Sequence, residues 1–164
     1  MSWPEPVQRV ADFLRDAQAQ ARLEEFSEPT PTAEAAAKAA GVDSSQIVKS
    51  LVFVCDGRPV VAMIPGDRRA DREKIARALG AGKARVAKPE EVVAATGFAP
   101  GGVAPFPLPE ATAVLLDRSL LVHEAVWVGA GSENHMARLV PAELLRLTRA
   151  RQMDAVEDRA YDSD

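Results

Sequence analysis

Residues Ile47-Val48-Lys49-Ser50-Leu51-Val52-Phe53-Val54-Cys55 carry apolar and β-branched side chains on both alternating faces, the pattern of a strand covered on both sides. With period two, Ile47, Lys49, Leu51, Phe53 and Cys55 share one face, and Val48, Ser50, Val52 and Val54 share the other. Lys49 breaks the pattern. Its own strand offers it no carboxylate, so its ammonium must find an anion elsewhere, ionise less readily, or reach a solvent-filled cleft at the strand end. The functional account places a cation at the mouth of a pocket. The plainer one has Lys49 snorkel from the strand entrance and mark an edge.

Working outward, Asp56-Gly57 is a hairpin turn signal, so the strand folds back onto Val60-Val61-Ala62-Met63-Ile64. Upstream, Pro6 opens a helical pattern over about residues 6–19, with Val7, Val10, Leu14 and Ala17 on one face. Arg22 to Phe26 reads as a short strand, and Ser27-Glu28-Pro29-Thr30-Pro31 as an extended connection fixed by its prolines. Thr32 can cap a helix over Ala33 to Ala40 that Gly41 terminates, and Asp43-Ser44-Ser45 starts one further turn.

Downstream, Asp71 is an N-cap for a helix with Ile75, Ala76 and Leu79 inward and Gly80 at its end. Arg85-Val86-Ala87 is a short strand, and Pro89, Glu90, Glu91 and Gly97 outline another helix. The run from Gly97 to Pro109 holds too much proline and glycine for helix or interior strand and is a long loop of restricted shape. Ala113 to Leu116, Glu124 to Val128 and Ala137 to Val140 are strands, Gly129-Ala130-Gly131-Ser132 a small-residue turn, and Pro141 starts a last helix. From Asp154 the chain turns acidic and reads as a frayed tail. Hairpins and helices mix without regular alternation. The expectation is α+β, with a curved, mainly antiparallel or mixed sheet or barrel flanked by helices. Residues 1–153 form one domain and 154–164 a flexible tail.

A chain of 164 residues can bury a real core without a disulfide or metal staple. One cysteine, Cys55, excludes an internal disulfide, and two histidines, His123 and His135, leave little for a zinc site. Neither metal nor cofactor is expected. No apolar run is long enough for a membrane span and no secretory signal is recognisable at the start, so the expected location is cytoplasmic. A net charge of −4 argues against coating nucleic acid non-specifically. Local basic clusters exist at Arg68, Arg69, Arg72, Lys74 and Arg77, and at Lys83, Arg85 and Lys88.

Three features could converge on one anionic or carbonyl-bearing ligand: the Lys49 cation, the Gly101-Gly102 loop with approachable backbone N–H groups, and the small-residue segment from Gly129 to Ser132. There is no dinucleotide fingerprint, Walker loop or G-x-S-x-G elbow.

The chain also resembles the YbaK and ProX family of aminoacyl-tRNA deacylases, free-standing relatives of the editing domain inserted in bacterial prolyl-tRNA synthetases. The resemblance covers about residues 6–150. It is carried by Thr32-Ala33-Glu34-Ala35-Ala36, Gln46 to Phe53, Gly66-Asp67-Arg68-Arg69, Thr96 to Phe106 and Val126-Trp127-Val128-Gly129-Ala130-Gly131. It implies hydrolysis of the ester joining a wrong, small amino acid (Ala, Cys, Ser or Thr) to the acceptor end of a tRNA, with tRNA-Pro expected. Prolyl-tRNA synthetase would be a partner. The resemblance assigns activity to Lys49 and the positioning of substrate and water to the loop from Gly101 through Gly102 to Pro105. Thr32, Ser50, Gly131, Ser132 and His135 would line the amino-acid pocket. Ser50 departs from the asparagine that tends to accompany alanine selectivity. A different class, a non-catalytic module that binds tRNA or a synthetase, stays open on the sequence.

Overall fold

The computed structural model describes residues 3–159. In chain order the elements are α1 (Glu5–Asp16), β1 (Ala21–Glu25), α2 (Ala33–Ala40), β2 (Val48–Cys55), β3 (Arg58–Pro65), α3 (Arg72–Ala78), β4 (Ala84–Val86), α4 (Pro89–Thr96), β5 (Ala113–Asp117), β6 (Val126–Ser132), β7 (His135–Leu139), α5 (Pro141–Thr148) and β8 (Arg151–Met153). Short 3-10 turns at Ser44–Gln46 and Arg118–Val122 complete them.

Local chemistry sets the boundaries. Thr32 Oγ1 accepts from Ala35 N at 3.1 Å and Gly41 closes α2 at φ 73°. Asp71 caps α3 by accepting from Glu73 N and Lys74 N at 3.0 and 3.1 Å. Asp56 and Gly57, at φ 49° and 82°, make the two-residue turn joining β2 to β3, where both central residues need positive φ. α1 ends at Asp16, three residues before the expected stop, because Gln18 takes φ 51° and Ala19 N turns back to donate to Leu14 O at 2.9 Å.

Two sheets result. One is antiparallel, ordered β1-β7-β6; the other is mixed, ordered β4-β2-β3-β5-β8, with β3/β5 and β5/β8 parallel. The expected α+β class holds, but the sheets stay separate and open rather than closing a barrel. A parallel bridge between Ile47, just before the start of β2, and Trp127 of β6 links them.

β2 is covered on both faces. Val48 and Val52 point into the main core with Val61, Met63, Val126, Val128 and Phe106. Phe53 and Cys55 point into a second core under α3, with Ile64, Ile75 and Leu115. A third cluster, Ala36, Ala37, Ile47, Trp127 and Met136, seats α2 on the smaller sheet. At about 25 cal/mol per Å² of apolar area removed from water, these faces are the main favourable term holding the layers together.

Two expectations fail here. Gly129 to Ser132 is no turn but the end of β6, with a register shift between Gly129 and Ser132. Nor is the chain frayed from Asp154: Ala155 and Val156 are 0% and 5% exposed in the second core, and Val156 bridges to Ala70. Burial of two apolar side chains and a bond from Ala155 N to Asp117 Oδ1 (2.7 Å) outweigh the local acidity. Residues 160–164 of the expected tail lie outside the described residues. No described helix is long and apolar enough to cross a membrane.

Candidate functional site

A cavity of about 430 Å³ opens where the start of β2, the N-terminal end of α2, the loop after α4 and the β6–β7 hairpin meet. Each wall has a local cause. The β6–β7 turn is stitched to the extended segment before α2: Phe26 N donates to Asn134 O at 2.8 Å, Asn134 Nδ2 to Phe26 O at 3.1 Å, and Thr30 N and Oγ1 to Glu133 O at 2.7 and 3.0 Å. The glycine-rich loop lies against β6 because Gly129 lacks a side chain. A Cβ there would overlap the Val103 carbonyl, and one on Gly102 would come within 2.9 Å of Gly131 O.

Lys49 lines this cavity, half-buried, and its Nζ donates to the Arg68 carbonyl at 2.7 Å. It forms no ion pair with a carboxylate among the described residues. Burial pushes its pKa below the ordinary lysine value, opposed at longer range by Glu34 and Asp67 and reinforced by Arg69. Lys49 is thus a fixed, directed cation at a strand end.

Ser50 lines the cavity beside it, and its buried Oγ has no hydrogen-bond partner. Gly101 also lines the cavity, as does Val103, and the N–H of neither meets an acceptor among the described residues. Gly102 differs from expectation. Its N–H is taken by Ala99 O at 3.0 Å, so Gly102 shapes the loop rather than facing the cavity.

Thr32, Ser132 and His135 line the cavity as well. His135 is 2% exposed; its Nδ1 lies 2.5 Å from Ser132 Oγ, and its Nε2 is 3.2 Å from Glu25 Oε2, without the alignment of a hydrogen bond. Trp3 meets the ring edge to face at 5.4 Å.

Besides Gly102, two further expected residues sit elsewhere. Gly131, at φ 106°, faces α1, and a Cβ on it would come within 2.8 Å of the Pro6 carbonyl. Pro105 belongs to a separate cavity of about 670 Å³ with Phe13, Phe106 and Leu147, because the loop has turned into the main core by that point.

Glu34, Glu133 and Met136 also line the cavity and were not expected there. Only the quoted Thr32-Ala33-Glu34 string hinted at Glu34. The basic cluster after β3 divides: Arg69 and Arg72 flank an open groove that shares Lys49 and Leu51 with the cavity, while Lys74 is bound to Asp154, Val156 and Asp158. No group of three or more His, Cys, Asp or Glu side chains among the described residues is placed to hold a metal ion.

A family model described as an aminoacyl-tRNA editing domain matches residues 27–147. The chain is 40% identical over 121 residues to the uncharacterised protein YwhH of Bacillus subtilis, covering 73% of this chain and 76% of that one. It is 32% identical over 124 residues to EbsC of Enterococcus faecalis, named as a candidate Cys-tRNA(Pro)/Cys-tRNA(Cys) deacylase, covering 75% and 76%. Proline–tRNA ligase of Nitratidesulfovibrio vulgaris is 37% identical over 134 residues, which span 79% of this chain but only 22% of the ligase. A crystal structure described as a candidate trans-editing enzyme for prolyl-tRNA synthetase superposes with a TM-score of 0.89 at 37% identity, covering 96% of this chain and 100% of that one.

Proposed function

The chain belongs to the aminoacyl-tRNA editing domain family, and we propose that it is a free-standing deacylase that hydrolyses the ester of a small amino acid mischarged onto tRNA-Pro. The observation that carries this reading is the meeting of the Lys49 ammonium with the uncommitted N–H groups of Gly101 and Val103 around one cavity.

In this reading the amino acid enters the cavity and the terminal adenosine lies at its mouth. Lys49 holds phosphate or sugar as a compact point charge. The free backbone donors orient the attacking water or receive the charge that develops on the carbonyl oxygen, a role that fixed dipoles fill without reorganising. Ser50 Oγ is unpaired at a cost of about 1–3 kcal/mol, which a polar group of the ligand would offset. Arg69 and Arg72 flank the adjoining groove and would meet the acceptor end. With net charge −4, that contact is weak and salt-dependent, and docking to prolyl-tRNA synthetase would strengthen it.

Selectivity should be broad. One methylene changes binding by only about 1–3 kcal/mol, so the cavity tolerates neighbouring small side chains and the tRNA protects correct products. The test is a panel of tRNA-Pro species charged with Ala, Cys, Ser, Thr and Pro, together with Ala on other tRNAs. Release of several small amino acids, with Pro spared and tRNA-Pro preferred, is expected. Binding without any release would mean a non-catalytic tRNA-binding module.

A further inference from the structure

The chain after α5 forms β8 on the edge of the larger sheet and then crosses the outer side of segment 67–71 as a strap. Its bonds fall on that segment. Asp71 N donates to Ala155 O at 2.9 Å, Glu157 N donates to Arg69 O at 2.8 Å, Arg68 Nη2 donates to Glu157 O at 2.7 Å, and Arg159 Nη2 donates to Asp67 Oδ2 at 2.9 Å. The strap is anchored by Lys74, whose Nζ donates to Asp154 Oδ2, Val156 O and Asp158 Oδ1 at 2.7–2.9 Å. On its inner side the same segment presents the Arg68 carbonyl to Lys49 Nζ.

We propose that the strap, residues 154–159, is a positioning element of the site, which fixes the Arg68 carbonyl and through it the direction of the Lys49 ammonium. A strap needed only to cover the second core would require Ala155 and Val156 to be buried. It would not require bonds on both sides of Arg68. The family match ends at residue 147, before the strap begins. This inference rests on the assignment of Lys49 to the deacylase site.

Two full-length variants loosen the strap without removing its buried residues. Glu157→Pro deletes the N–H that bonds Arg69 O, and Lys74→Met removes the anchor. Both are read by melting midpoint, by kcat and KM on alanyl-tRNA(Pro), and by nitrogen NMR titration of Lys49 assigned against Lys49→Ala. Loss of alignment predicts a fall in kcat of about tenfold with KM within about twofold. The Lys49 titration should move up toward the ordinary value of 10.5 as water reaches the ammonium. In a Lys49→Ala background the same changes should cost no further activity, whereas a merely structural strap would lower activity in both backgrounds. If Glu157→Pro does not fold, Lys74→Met decides. Native kcat together with an unchanged Lys49 titration in the folded variants overturns the proposal. Native kcat in Lys49→Ala itself would instead refute the assignment of Lys49, and the titration would still decide the strap.

Discussion

Ser132 Oγ and His135 Nδ1 lie 2.5 Å apart at the wall of the cavity, and the same hydroxyl is 3.0 Å from Asn134 Oδ1. One hydroxyl proton cannot serve both acceptors, so the tautomer of His135 decides which of them receives it. With the proton on Nε2, the ring turns an N–H toward Glu25 and Ser132 donates to Nδ1. In either tautomer Ser132 orients the ring.

Ser132→Ala should therefore loosen His135 rather than remove chemistry. A lost hydrogen bond of about 1 kcal/mol predicts a rise in KM of about fivefold, with kcat little changed. Steady-state kinetics on one mischarged tRNA check this; an equal fall in kcat and kcat/KM would show a role in the transition state.

Gly129→Ala places a Cβ against the Val103 carbonyl. Either the loop or β6 must shift, at a cost of about 1–3 kcal/mol, and the N–H groups of Gly101 and Val103 shift with the loop. A lower melting midpoint together with a lower kcat is expected. Destabilisation without any loss of kcat would mean that the loop's placement does not matter to the reaction.

Much of this was legible in the sequence. Asp56-Gly57, Thr32 and Asp71 act through local backbone chemistry, so their turn and caps could be read from neighbours in the chain. Lys49 stood out because a strand buried on both faces has no ordinary place for an ammonium. β8 was not legible: Arg151-Gln152-Met153 is short and polar, and only its parallel pairing with β5 makes it a strand. Ala155 and Val156 were hidden between acids, since their burial depends on a distant α3 and Asp117. Gly129 to Ser132 resembled a turn because glycine permits both a turn and a close approach, and only the position of the Val103 carbonyl distinguishes them.

Glu91 supplies a pH prediction. Its carboxylate takes both guanidinium nitrogens of Arg85 at 2.7 and 2.8 Å and the Lys88 N–H at 2.9 Å, which holds its pKa at about 2. A carboxylate with a depressed folded pKa contributes stability above its ordinary value of 4.5 and loses it as pH falls through about 2. Glu91→Gln should melt below the native protein at pH 7, with the gap closing toward pH 2. A gap independent of pH would contradict the pairing.

Lys49 carries the opposite sign. A lysine whose folded pKa is lowered penalises the fold while it is charged, and the penalty disappears as pH rises from that folded value to the ordinary 10.5. Lys49→Met should melt at or above the native midpoint at pH 7, and the difference should narrow toward alkaline pH. A large fall at pH 7 would make Lys49 a structural partner of Arg68 instead.

The most direct measurement is the rate of alanine release from alanyl-tRNA(Pro) by the native protein and by Lys49→Ala, at matched concentration and with folding verified for both. The native protein should release alanine well above the spontaneous rate, and Lys49→Ala should be slower by about a hundredfold or more. Equal rates from two folded proteins would contradict the account.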